Sequence, residues 1–160
     1  MKWNTKEDLR LAAESKGYRP EILEKVDRLL DFLQVMMSVP FLKERLALKG
    51  GTAINLFCSD QLPRLSVDLD FNYIGAIDRE SMLKEKSEID KIIFSLCHRE
   101  QYQLDRNPRA HAGGKMVLIY DSVLGRKGRL EIDLNYLYRT PLWMPQWQYS
   151  ADWPNRIGVS

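Results

Sequence analysis

The stretch that decides the fold runs from residue 66 to residue 73 and reads Ser66-Val67-Asp68-Leu69-Asp70-Phe71-Asn72-Tyr73. Apolar and polar side chains alternate strictly along it. Because successive side chains of a strand point to opposite faces of a sheet, this period of two predicts a half-buried strand. Its polar face carries Asp68 and Asp70, which are about 6.6 Å apart along the strand at ~3.3 Å per residue.

Asp68 and Asp70 form a pair of carboxylates on one side of the predicted strand. Like charges this close raise each other's pKa unless a cation neutralises them. Oxygen ligands favour Mg²⁺ or Mn²⁺ over softer metals, so the pair predicts a site for one of these ions. By itself, however, an Asp-x-Asp strand is more often a solvated face, since edge strands commonly carry outward charge.

A second motif lies shortly before the strand and reads Leu48-Lys49-Gly50-Gly51-Thr52. We interpret it as a strand, a glycine turn and a helix start. Glycine lets backbone N–H groups approach an anion closely, and a helix N-terminus adds partial positive charge. Thr52 can cap this helix or donate a hydrogen bond to a phosphate oxygen. The motif therefore predicts a phosphate cradle, although a Gly-Gly pair alone is usually only a turn.

Two further strands are expected, from Lys115 to Tyr120 and from Arg129 to Tyr138. The residues from Gly125 to Gly128 between them have turn chemistry, so the two strands are predicted to form an antiparallel hairpin.

The second strand of this hairpin would supply a third acid. Its alternation leaves Glu131 and Asp133 on one face. If Asp133 sits on a strand beside Asp68 and Asp70, three carboxylates would surround two metal ions ~3.5–4 Å apart. Glu131 points in the same predicted direction, and the sequence leaves the choice between the two acids open.

Helical periodicity surrounds these strands. Apolar positions between Pro20 and Met37 recur at three- and four-residue steps, and a shorter helix is expected from Lys6 to Ser15. Another is expected after Pro40, and a long one from Arg79 to His98. We therefore predict an α/β (α+β) fold, in which a small mixed β-sheet carries the acids and helices flank it.

The 160 residues have the length of a single domain. We expect a helical part over residues 1–45, a catalytic core over 46–138 and an irregular tail over 139–160 that leads into a missing C-terminal region. The tail has three Trp, at Trp143, Trp147 and Trp153. Such side chains are expected to pack against the core, a missing segment or a second subunit, so a homo-oligomer formed through the tail is one of the hypotheses.

Charge and cysteine usage limit the classes of protein. Lys and Arg total 24 against 22 Asp and Glu, a net charge of +2, which favours neither a coat protein for nucleic acid nor an acidic tail. No run reaches the ~20 apolar residues that span a bilayer, so we expect a cytoplasmic protein without membrane contact. Cys58 and Cys97 lack the spacing of a zinc site or disulfide framework.

Together, the two motifs resemble a known family. Residues 48–57 and the run Arg64-Leu65-Ser66-Val67-Asp68-Leu69-Asp70-Phe71 are similar to the signature of AbiEii/AbiGii-type nucleotidyltransferase toxins, of the DNA-polymerase-β-like superfamily. The resemblance implies the nucleotidyltransferase fold. It implies that the Gly pair and the following hydroxyl contact the nucleotide phosphates, that the Arg-x-Ser-x-Asp-x-Asp segment and a later strand supply metal ligands, and that Lys115 serves the nucleotide. Family members usually run longer, with a helical C-terminal region.

The expected function is Mg²⁺-dependent transfer of a nucleoside monophosphate from an NTP to a hydroxyl of RNA such as tRNA, or of a protein. The resemblance suggests a toxin of a bacterial toxin–antitoxin or abortive-infection pair, with an antitoxin as partner. The predicted catalytic and metal-binding residues are Asp68, Asp70 and Asp133. The predicted nucleotide-binding residues are Lys49, Gly50, Gly51, Thr52, Ser66 and Lys115. The alternatives are a nucleotide-binding module that acts through a partner without transfer, and a plain interaction domain.

Overall fold

The computed structural model describes residues 3–52, 66–105 and 114–137, together with the strand pairing of residues 148–149 and 158–159. Its elements, in chain order, are α1 (Lys6–Lys16), α2 (Pro20–Met37), α3 (Pro40–Lys43), β1 (Leu46–Lys49), β2 (Asp68–Tyr73), α4 (Arg79–Arg99), β3 (Gln103–Asp105), β4 (Met116–Asp121), β5 (Lys127–Asn135), β6 (Gln148–Tyr149) and β7 (Gly158–Val159).

The helices begin and end where local chemistry favours it. The Thr5 hydroxyl accepts a hydrogen bond from the Asp8 N–H at the start of α1, and Gly17 ends that helix at a φ of 70°. Pro20 opens α2, where its missing N–H costs nothing. The Asp78 carboxylate caps α4 by accepting from the Ser81 N–H. These signals confirm the helices predicted in this part of the sequence.

Five strands form one mixed sheet in the order β1-β2-β5-β4-β3. β2 and β5 run parallel, whereas β1 with β2, β5 with β4 and β4 with β3 are antiparallel pairs. The predicted small mixed sheet with flanking helices is therefore confirmed. β5 lies at the centre of the sheet, although it is the last of these strands along the chain.

One face of the sheet is buried against α2 and α4. The alternating positions Leu69, Phe71 and Tyr73 of β2 are fully buried, as are Leu130, Ile132 and Leu134 of β5. They share one core cluster with residues that include Leu29, Leu33, Met36, Ile89 and Ile93 of the two helices. The opposite face carries Asp68, Asp70, Glu131 and Asp133, which are half-buried or exposed. We call this the acid face.

Hydrogen bonds to the buried carboxylate of Glu24 connect the β4–β5 hairpin to α2. Glu24 accepts hydrogen bonds from the Ser122 hydroxyl at 2.5 Å, the Val123 N–H at 3.1 Å and the Arg28 guanidinium at 3.1 Å. Its charge is thus buried with its partners, which is the condition under which a carboxylate is tolerated in a core. The contact fixes the hairpin turn against the helical layer.

Several details differ from the sequence prediction. The hairpin turn lies at Ser122–Arg126 instead of Gly125–Gly128, because Asp121 pairs with Lys127 and extends both strands. Leu83 of α4 is 45% exposed, whereas its neighbour Met82 is buried. β3 was not predicted, since three residues are too short to show a period. The tail was expected to be irregular, yet β6 and β7 form an antiparallel pair of two residues each.

Some predictions concern residues outside the described ranges. The helix expected after Thr52 can be followed only for residues 50–52, which are helical. Cys58, Arg64 and the side chains of the tail over residues 139–160 lie outside the described residues. Cys97 is a buried free thiol, as expected for a small core residue. None of the described helices is long and apolar enough to cross a membrane.

Candidate active site

The predicted metal-binding acids lie next to one another on the acid face. In the parallel pairing of β2 with β5, Asp68 is the Cα partner of Glu131 and Asp70 is the Cα partner of Asp133. Directly opposed side chains on neighbouring strands project to the same face with Cβ atoms about 4.5–5.5 Å apart. The sheet therefore gathers four carboxylates into two adjacent rows.

Two lysines complete the row that contains Asp70 and Asp133. Lys49 of β1 is the Cα partner of Asp70. On the other side, the Gly114 N–H donates to the Leu134 carbonyl at 3.2 Å, and the Leu134 N–H donates back at 3.3 Å. This continues the β4–β5 ladder by two residues beyond the Met116–Ile132 pair and places Lys115 opposite Asp133. We call Lys49, Asp70, Asp133 and Lys115 the central row, in which two aspartates lie between two lysines.

The surroundings of Asp70 disfavour the ionised form of its carboxyl. Partial burial raises the pKa of its carboxyl, and the nearby charges of Asp68 and Asp133 raise it further. Lys49 and Lys115 act in the opposite direction but do not cancel the effect. A carboxylate crowded by two others is a group that a cation would stabilise.

The glycine pair approaches these acids closely. Gly50 has a φ of +76°, and a Cβ built on it would lie 2.6 Å from the Asp70 Oδ2 atom. A Cβ on Gly51 would lie 3.1 Å from the Ser66 Oγ atom. Gly50 is therefore required both by its backbone angle and by the space that Asp70 occupies. The predicted phosphate cradle and the predicted metal ligands consequently meet in one place.

Two hydroxyl groups fix Asp68. The Ser66 Oγ donates to the Asp68 Oδ1 atom at 2.9 Å, and the Thr52 Oγ1 donates to the Asp68 main-chain carbonyl. Thr52 is only 5% exposed, so its hydroxyl fastens the helix start to β2. Capping of the helix would involve N–H groups of residues that follow Thr52 and lie outside the described ranges, so the capping role of this hydroxyl stays a prediction. Its phosphate contact stays a prediction.

Glu131 and Asp133 differ in their partners, although the sequence could not separate them. Glu131 binds Lys115, with the Oε2 and Nζ atoms 2.8 Å apart. This contact lowers the pKa of Glu131 and raises that of Lys115. Asp133 is exposed and lies in the central row beside Asp70. Sequence reasoning did not anticipate the Lys115–Glu131 pair, which only the register of the hairpin could have revealed.

The donor set fits Mg²⁺ or Mn²⁺ in kind. Asp68, Asp70 and Asp133 present hard oxygen atoms from adjacent strands, and partial burial together with the charges of the other two acids raises the pKa of Asp70. Among the described residues, no group of three or more His, Cys, Asp or Glu side chains is already arranged to hold a metal ion. Rotation of these side chains about their Cα–Cβ bonds would be needed to bring their oxygens onto a common ion.

Comparison with known proteins identifies the family. The profile described as "Nucleotidyl transferase AbiEii toxin, Type IV TA system" matches residues 31–152, well over half of the chain. The match includes all of the predicted site residues and begins within α2. Comparisons with the curated proteins and with the solved structures found no match. On the family match and the sheet that carries the acids, the chain belongs to the AbiEii nucleotidyl transferase toxin family.

Proposed function

We propose that this protein transfers a nucleoside monophosphate from an NTP to an acceptor hydroxyl, with Mg²⁺ or Mn²⁺ held by Asp68, Asp70 and Asp133. The observation that carries the proposal is the register of the parallel strands, which sets Asp70 against Asp133. Gly50 lies against the same carboxylate, so phosphates and cations would share one site.

The residues of the chain would divide the work by their chemistry. Backbone N–H groups at Gly50 and Gly51 would bind phosphate oxygens at the start of a helix. Lys49 and Lys115 would add positive charge from the two ends of the central row. Ser66 would hold Asp68 in one orientation. When bound, the cations would lower the pKa of the attacking hydroxyl and neutralise the departing pyrophosphate.

We further propose that the acceptor is a hydroxyl of RNA, such as tRNA, and that the protein acts in the cytoplasm as the toxin of a pair with a protein antitoxin. The family description, a toxin of a type IV toxin–antitoxin system, supports the biological role. A protein acceptor is the competing outcome, and the experiment below separates the two.

The test is incubation with each radiolabelled NTP, Mg²⁺ and either purified RNA or an RNA-depleted lysate. We expect label to enter RNA in a Mg²⁺-dependent manner, and Asp68→Asn and Asp70→Asn to abolish this transfer. Asp121→Asn is a suitable control, because this exposed aspartate lies at the turn end of β4, six residues along the chain from Lys115. Unchanged transfer in both site variants would refute the assignment.

A second candidate is a nucleotide-binding module that acts through a partner without transfer. It is favoured by the observation that no three acids among the described residues converge on a single point. Saturable binding of NTP and Mg²⁺ without movement of label into any macromolecule would support it.

A further inference from the structure

Lys115 and Glu131 form an ion pair at the edge of the central row. The Nζ and Oε2 atoms are 2.8 Å apart, and both side chains remain about half exposed, at 49% and 43%. In the ladder, Lys115 lies opposite Asp133, yet its ammonium group binds the acid of the neighbouring row. The side chain of Lys115 is therefore drawn along the acid face toward Asp68, the Cα partner of Glu131.

This arrangement separates the two acids of β5 by role. The Lys115 ammonium group already balances the charge of Glu131 and binds its Oε2 atom, so Glu131 has less to gain from a cation than a carboxylate without such a partner. Asp133 lies between Asp70 and Lys115 in the central row, where it acts on the charge of Asp70. The side-chain contact thus pairs Lys115 with Glu131, whereas the register of the parallel strands places Asp133 beside Asp70.

We infer that Glu131 is a positioning residue for nucleotide binding, which holds Lys115 over the acid face and is not a metal ligand. The inference rests on the proposed function, since it concerns the same site. A lysine has four rotatable bonds and three N–H donors, so an unrestrained side chain loses much freedom when it binds a phosphate. With one N–H donor of Lys115 bound to Glu131, the other two remain available for phosphate oxygens. The ion pair has also restricted the lysine side chain before the nucleotide arrives, so less conformational entropy is lost on binding.

The experiment measures binding and leaves transfer aside. Affinity for Mn²⁺ alone and for a nonhydrolysable NTP analogue with Mn²⁺ is determined by calorimetry for the full chain and its variants. The site variants are Glu131→Ala, Glu131→Gln, Lys115→Gln, the Lys115→Gln/Glu131→Ala double variant and Asp133→Asn. The matched control is Asp121→Ala, because Asp121 forms a 2.6 Å pair with Lys127 across the same two strands at their turn end.

We expect Glu131→Ala to weaken nucleotide binding roughly two- to fivefold, the range of a half-exposed ion pair, with Glu131→Gln in between because its amide oxygen still accepts a hydrogen bond. Affinity for Mn²⁺ alone should stay unchanged in both variants and fall in Asp133→Asn. The double variant should bind nucleotide no worse than Lys115→Gln, since Glu131 acts only through Lys115. The control should match the wild type.

Two outcomes would overturn the inference. If Glu131→Ala weakens Mn²⁺ binding as much as Asp133→Asn does, Glu131 is a ligand. If Lys115→Gln weakens nucleotide binding but Glu131→Ala does not, the ion pair has no part in positioning. Failure of the proposed function would be seen in a different measurement, namely as the absence of label transfer by the wild-type protein. The binding affinities of the wild type and its variants can be compared whether or not label is transferred.

Discussion

Asp70 and Asp133 are Cα partners across the parallel strands β2 and β5, and each has a lysine as its other neighbour in the same row. Two like charges are thereby held side by side on the sheet, while their counter-charges lie outside them. In the absence of a cation this arrangement opposes folding, because partial burial, together with repulsion from Asp68 and Asp133, raises the pKa of Asp70.

The first prediction concerns this repulsion. Asp70→Asn should raise the thermal unfolding temperature of the metal-free protein by a few degrees at neutral pH, because one of the crowded charges is removed. A carboxyl with a raised pKa destabilises the folded state once it is ionised, so the gain should vanish as pH falls toward the ordinary aspartate value of 3.8. Added Mg²⁺ should stabilise the wild type more than the variant, and equal stabilisation would contradict a cation site at Asp70.

The second prediction concerns Gly50. Gly50→Ala should destabilise the fold by more than about 1 kcal/mol, since its φ of +76° is costly for alanine and the new methyl group would displace the Asp70 carboxylate. Gly125→Ala is the control, because Gly125 has a φ of +84° and open space around it. Denaturant unfolding should show the smaller, backbone-only cost there. A similar loss in both variants would mean that Gly50 is required only for its backbone angle.

The third prediction separates two roles of Thr52. Thr52→Val should lower the free energy of unfolding by about 1–2 kcal/mol, because the buried hydroxyl that donates to the Asp68 carbonyl is lost. Thr52→Ser keeps the hydroxyl and should stay close to the wild type in stability. Denaturant unfolding and nucleotide titration are to be measured on both. Wild-type stability in Thr52→Val together with lost nucleotide affinity would assign the hydroxyl to a phosphate.

The fourth prediction concerns a carboxylate with the opposite pH behaviour. Glu85 accepts a hydrogen bond from the buried Tyr73 hydroxyl, and its Oε2 atom lies 3.0 Å from the Arg45 Nε atom. Partial burial opposes the effect, but these contacts lower the pKa of Glu85. A lowered pKa contributes stability above the unfolded value of 4.5, and this contribution is lost as pH falls through the folded value.

Glu85→Gln should therefore lower the free energy of unfolding by roughly 1–2 kcal/mol at neutral pH. Its unfolding curve should approach that of the wild type as the solution is acidified. Lys86→Gln is a control on the same helix, in a half-exposed pair with Asp90. If the difference in free energy of unfolding between Glu85→Gln and the wild type does not change with pH, the charge of Glu85 is not stabilising.

The sequence predicted the parts of this site better than their arrangement. The alternation from Val67 to Tyr73 identifies β2 and its acid face because a half-buried strand imposes a period of two on its side chains. The glycine pair between β1 and a helix start can likewise be recognised from a few neighbouring residues. Helix boundaries at Pro20 and Gly17 followed from residues whose backbone preferences are strong.

The strands that pair with β5 could not be predicted from local sequence patterns. Nothing in the residues of β5 specifies β2 as a parallel partner, since that pairing depends on the crossover through α4, β3 and β4. The hairpin register was also shifted, because its turn was placed at Gly125–Gly128. That placement would have set Lys115 opposite Tyr138, and the pair with Glu131 would have stayed hidden.

The position of β5 in the sheet has a consequence for biosynthesis. A ribosome completes β1, β2 and β4 before β5, yet β5 must enter between β2 and β4 for Asp133 to reach Asp70. A nascent or prematurely terminated chain that lacks β5 thus has the glycine turn and the Asp68–Asp70 pair without the third predicted ligand. Under the proposed mechanism such a polypeptide is inactive, and toxicity begins only after nearly the whole family-matched region has been translated and folded.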